Sequence, residues 1–125
     1  MESTYSTASI EPSQRFAYWQ EVVCRHCIPA ASVPLSGNQF DGSLRVRTLG
    51  TLIISELIAP QHRWQRDGAH IRTGPNDSFW VGLMMKGEGR LAQSGRTVVQ
   101  REGDMVLYDA ARPFEFELAA GTICI

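Results

Sequence analysis

A chain of 125 residues has the usual size of one domain, and at that length a compact fold buries roughly two thirds of the unfolded surface without metal or disulfide staples. Its 12 basic and 13 acidic side chains nearly balance, and Lys86 is the one lysine. With no block of like charge, this composition argues against direct binding of a nucleic-acid backbone.

The longest apolar stretches, such as Trp80 to Met85, are far shorter than the roughly 20 residues of a membrane helix, so no membrane partner is expected. Met1 to Ser9 carry neither a basic cluster nor an apolar signal core, which makes the cytoplasm the default location. Cys24, Cys27 and Cys124 make an odd count without an export signal, so reduced thiols are expected.

Residues 1–10 are read as a flexible lead-in, or as an arm that orders on contact, and residues 11–125 as the folded domain. Pro12 sits where a first helical turn tolerates a missing N–H, and Phe16, Trp19, Val22 and Val23 recur at helical spacing. One amphipathic helix over about 12–25 follows, and Pro29, Pro34 and Ser36-Gly37-Asn38 end it in a loop.

Beyond residue 40 the period becomes that of strands. Leu44, Val46 and Thr48 alternate with Arg45 and Arg47, and Leu52 to Ile58 reads as a buried strand ended by Pro60. His62 to Ile71 suits a short edge strand or a structured loop. Phe79 to Met85 is apolar on both faces, predicting a central strand covered on both sides.

Gly87-Glu88-Gly89 and Ser94-Gly95 read as reversals, the second joining Arg90–Gln93 to Thr97–Gln100 in a hairpin. A turn at Glu102-Gly103-Asp104 precedes Met105–Tyr108, and Phe114 to Leu118 alternates without a fault. Short strands at this spacing indicate an antiparallel sandwich or barrel, mainly β.

Cys24-Arg25-His26-Cys27 ends a helix instead of opening one and lacks a second half, so it is better read as a helix-end packing segment than as a metal or redox site. His62 and His70 lack the H-x-H spacing of a metal-binding strand, although convergence with Glu56 or Asp67 stays open. Neither a metal nor a cofactor is expected.

The aromatic and methionine group is more informative. Trp64, Phe79, Trp80, Met84, Met85, Tyr108, Phe114 and Phe116 lie on strands, and a barrel too wide to fill itself leaves an apolar pocket between such residues. Each of them serves equally well as plain core. Arg63, Arg90 or Arg112 is available to give such a pocket one positive charge for a carboxylate. The candidate ligand-binding set is Trp64, Trp80, Met84, Arg90, Tyr108, Phe114 and Phe116.

Several segments together resemble one family. Arg15-Phe16-Ala17-Tyr18-Trp19-Gln20-Glu21-Val22-Val23, Phe40-Asp41-Gly42 and Leu49-Gly50 are similar to the sensor half of AraC/XylS-type regulators. Gln93-Ser94-Gly95-Arg96, Glu102-Gly103-Asp104, Leu107-Tyr108-Asp109 and Arg112-Pro113-Phe114 follow in the order typical of its AraC-binding-like subgroup.

The resemblance implies a cupin-like double-stranded β-helix, or jelly-roll barrel, with one N-terminal α-helix. It further implies a small-molecule effector, a homodimer, and DNA contact only through a C-terminal helix-turn-helix domain lying beyond this chain. On that reading the chain is a truncated piece of a bacterial transcription regulator and not an enzyme. Phe114 stands where many cupins carry a metal-ligating histidine. A small metal-dependent cupin enzyme and a purely structural dimerisation module are the alternatives.

Overall fold

Inward and outward side chains alternate along most of the strands, and two antiparallel sheets result whose apolar faces meet. The computed structural model describes residues 2–35, 40–119 and, by backbone, 122–124. In chain order these form β1 (Glu2–Ser6), a 3-10 turn (Pro12–Gln14), α1 (Arg15–His26), β2 (Ala31–Pro34), β3 (Ser43–Leu49), β4 (Leu52–Ala59) and β5 (His62–Arg66). Then follow α2 (Gly68–Thr73), β6 (Phe79–Lys86), β7 (Gly89–Gln93), β8 (Arg96–Gln100), β9 (Met105–Asp109), β10 (Phe114–Leu118) and β11 (Thr122–Cys124).

One sheet has the order β1-β3-β4-β11-β6-β9 and the other β2-β5-β10-β7-β8. The fold is the expected mainly β, cupin-like one. The predicted helix is present as the 3-10 turn plus α1, which buries Trp19, Val22 and Val23. Trp19 packs against Phe40 and reaches His62 edge-on.

Gly42 is required at that contact, because a Cβ there would lie 2.8 Å from the Trp19 ring. Around it, the buried Thr7 hydroxyl donates to the Phe40 carbonyl and accepts from the Gly42 N–H, while Arg15 pairs with Asp41 at 2.8 Å.

Four expectations need correction. Residues 1–10, read as a lead-in, contain β1, which pairs with β3 from Glu2↔Arg47 to Ser6↔Ser43. The residues of β1 are small and polar because one side of an edge strand faces water; Tyr5 nevertheless stacks on His26 of α1. Where His62–Ile71 suits a short edge strand or a structured loop by sequence, the structure has an interior strand, β5, between β2 and β10, followed by a second helix, α2, capped by Asp67. The charged Arg66 hid that strand.

Gly87-Glu88-Gly89 does not fold β7 back beside β6 but carries the chain from one sheet to the other. Finally, β6 lies inside its sheet, yet its outer face is bare: Phe79, Val81 and Met85 are exposed, beside Met105 and Leu107 of β9. The loop segment Ser36-Gly37-Asn38 lies outside the described residues.

Arg66 ends β5 fully buried, and its guanidinium is satisfied by backbone alone. It donates to the carbonyls of Ala110 (2.9 Å), Pro29 (2.8 Å) and Gly74 (2.7 Å), tying three connections to one point. Buried charge is tolerated where hydrogen bonds replace its water.

His62, on the same inward face, is enclosed by Trp19, Phe40 and Trp64, with Nδ1 2.8 Å from the Pro60 carbonyl. Burial lowers its pKa from 6.5 to about 4, against the opposing pull of that carbonyl. Between those values the unfolded chain takes up a proton that the folded chain refuses. The contribution is therefore fully present above pH 6.5 and is lost as pH falls toward 4, by at most about 3 kcal/mol. Urea denaturation of wild type and His62→Phe near pH 7 and near pH 4.5 measures it. The variant is expected to lose less stability on acidification, and equal losses would refute the assignment.

Candidate functional site

The two sheets do not fill the space between them. A cavity of about 420 Å³ remains, lined by one end of α1 and by strands of both sheets. Trp64 of β5 with Phe114, Phe116 and Leu118 of β10 form one wall, Trp64 lying directly across from Phe116 in the strand pairing. Trp80 of β6 and Tyr108 of β9, directly paired in the other sheet, belong to the facing wall. The Tyr108 ring sits 5.0 Å from Phe114 and 6.0 Å from Phe116.

Val23 and Cys27, one helical turn apart on α1, close one side together with Ile28 and Ala30. The remaining wall comes from Leu52–Ser55 and Leu57 of β4 and from Phe79–Gly82 of β6. β11 pairs with β4 only at Leu57–Ala59 and with β6 only at Met84 and Lys86, so no described strand lies between Leu52–Ser55 and Phe79–Gly82. The cavity reaches the surface along those two stretches, where Leu52, Ile53, Phe79 and Val81 are exposed.

Five of the seven candidate residues, Trp64, Trp80, Tyr108, Phe114 and Phe116, border this cavity. Met84 does not: it is wholly buried and packs on Gly89, where an added Cβ would lie 3.0 Å from its methyl carbon. Arg90 does not either, because it is exposed on β7 opposite Glu117. Nor do the other two arginines border it, since Arg63 pairs with Glu115 and Arg112 with Asp109. The expected positive charge in the pocket is therefore corrected: the described lining holds no charged side chain and no histidine.

Sequence reasoning missed Val23, Cys27, Ser55, Leu57 and Leu118 as lining. Ser55 carried a signal, being a small polar residue at an inward position of an apolar strand, and Leu57 and Leu118 follow from alternation. Which face of α1 meets the cavity is set by tertiary packing.

Two polar features stand out in this apolar enclosure. The indole N–H groups of Trp64 and Trp80 are buried and lack a hydrogen-bond partner among the described residues. Cys27 lies 3.5 Å from the Ser55 hydroxyl, and burial pushes its thiol up to about 11, with Cys24 nearby adding to the rise and the Ser55 contact opposing it. A thiol so held is protonated at neutral pH and is a poor nucleophile.

Cys24 instead donates to the Ala30 carbonyl at 3.2 Å. Among the described residues no group of three or more His, Cys, Asp or Glu side chains is placed to hold a metal. His62 is in the aromatic core, His70 completes the Asp67 cap and Glu56 pairs with Arg45, so the convergence left open by the sequence does not occur.

With that geometry in place, comparison with known proteins assigns the family. The sequence pattern of the AraC-binding-like domain matches residues 19–125, and the chain belongs to that family. It is 31% identical over 114 residues to the uncharacterized protein in the nit 5′ region of Bacillus sp. (strain OxB-1), covering 91% of this chain and 44% of that protein. It is 28% identical over 115 residues to the transcriptional activator NphR of Rhodococcus sp., covering 91% and 34%.

The AraC-like transcriptional activator CuxR has the same fold, with a TM-score of 0.86 at 18% identity over 99% of this chain and 45% of that one. The chain thus spans less than half the length of the relatives it matches. No helix among the described residues is long and apolar enough to cross a membrane.

The Cys27 environment is directly testable. Maleimide labelling of the folded protein at neutral pH should modify Cys27 at least about tenfold more slowly than labelling in denaturant, as followed by mass spectrometry of the peptide. Equal rates would contradict a half-buried, protonated thiol.

Proposed function

We propose that this domain is the sensor of a bacterial transcription regulator, taking a small effector into the cavity and performing no chemistry on it. The observation that carries the reading is the unfilled apolar cavity ringed by Trp64, Trp80, Tyr108, Phe114 and Phe116. Its volume lies in the range of roughly 300–1,000 Å³ typical of small-molecule sites. The family and the activator NphR support the regulatory part.

In this reading DNA is contacted by a separate domain of the longer polypeptide. The effector binds one arrangement of the sensor better than another, and only that difference shifts the attached domain. The contacts of α1 with the cavity, through Val23 and Cys27, give an element able to feel the guest.

Thermal-shift screening of small aromatic compounds against the full-length protein tests this. A binder present at about 100 times its Kd adds about 2.7 kcal/mol to stability. Leu57→Trp, which occupies the cavity from β4, should keep the fold and abolish the shift. A compound that shifts both proteins equally binds elsewhere and would overturn the reading.

One further observation favours pairing of two copies. Phe79, Val81 and Met85 on β6 and Met105 and Leu107 on β9 form an exposed apolar face, with Val81 directly opposite Leu107. Such a patch on a soluble domain marks an interaction surface. Sedimentation of the full-length protein should give a dimer, and Leu107→Glu should move it toward monomer. An unshifted equilibrium would exclude this face as the contact.

A further inference from the structure

We propose that the cavity selects uncharged aromatic molecules and rejects their carboxylate and ammonium counterparts. The inference rests on the sensor reading above and specifies what that sensor detects. Two observations carry it.

The first is charge. No Asp, Glu, Lys, Arg or His is found among the described lining residues. The nearest candidates are committed elsewhere: Arg66 to three backbone carbonyls, Arg63 to Glu115 and Arg112 to Asp109. An ion entering this space leaves its hydration behind and meets no counter-charge, which is strongly unfavourable. Neutral guests meet no such penalty.

The second is shape. Six aromatic rings border the space, and their faces and edges favour a flat ring over a branched aliphatic guest.

Four probes of one shape separate these features: 2-naphthamide, 2-naphthoate, 2-naphthylmethylammonium and 2-methylnaphthalene, titrated calorimetrically into the full-length protein near pH 7.5. The amide is expected to bind at least about 30-fold more tightly than either ion. Methylnaphthalene, which shares the ring and carries no charge, is likewise expected to bind at least about 30-fold more tightly than either ion.

Either ion binding as well as the amide overturns the charge selection while the sensor reading stands. If none of the four binds, the sensor reading falls together with this one.

Discussion

Large inward side chains on facing strands, meeting where Tyr108 packs on Phe114 and Phe116 but leaving the space beside them unfilled, are the constraint on which this domain turns. Period-two alternation sends Trp64, Phe114, Phe116, Trp80 and Tyr108 to the interior, and the two-sheet architecture fixes the distance between their strands. Hydrophobic burial alone would favour collapse of that space. It is kept open by rigid supports at its margins: Trp19 seated on Gly42, the His62 cluster, and Arg66 tying Pro29, Gly74 and Ala110 to the end of β5.

Apart from Val23, Tyr108 and Phe114, the residues that carry the family resemblance do a different job from those that line the cavity. Gln93 donates to the Asp109 carbonyl and accepts from the Asp109 N–H, locking the β7–β8 hairpin to the β9–β10 turn. Asp109 in turn accepts from the Ala111 N–H, and Asp104 accepts from the Arg101 N–H in a turn where Gly103 has a φ of +84°. Ser94 and Gly95 both take positive φ in the tight hairpin turn. These are scaffold contacts, so the recognisable signature identifies the fold and says little about the guest.

That division explains what the sequence made legible. The helix, the strands and the jelly-roll class rest on local periodicity and turn residues, which any reader of the chain can count. Alternation also placed five of the seven candidate residues on the cavity wall. Arg90 lies outside the cavity because alternation puts it on the outer face of β7 with its register neighbour Glu117. Met84 failed because inward-facing and cavity-lining are not the same property.

Other features depend on tertiary context. Nothing local says that the polar residues of β1 find a partner strand in β3, that Arg66 finds three carbonyls, or that the outer face of β6 stays bare. Each is decided by what lies across the chain.

A sensor role requires that the cavity be open and apolar in solution. A crystal structure of the protein under xenon pressure tests this most directly, because xenon settles in apolar cavities and not in packed cores or polar water sites. Xenon density is predicted between Trp64, Trp80 and Phe116 with the rings unmoved. Rings rotated into the space, leaving no xenon site there, would contradict it.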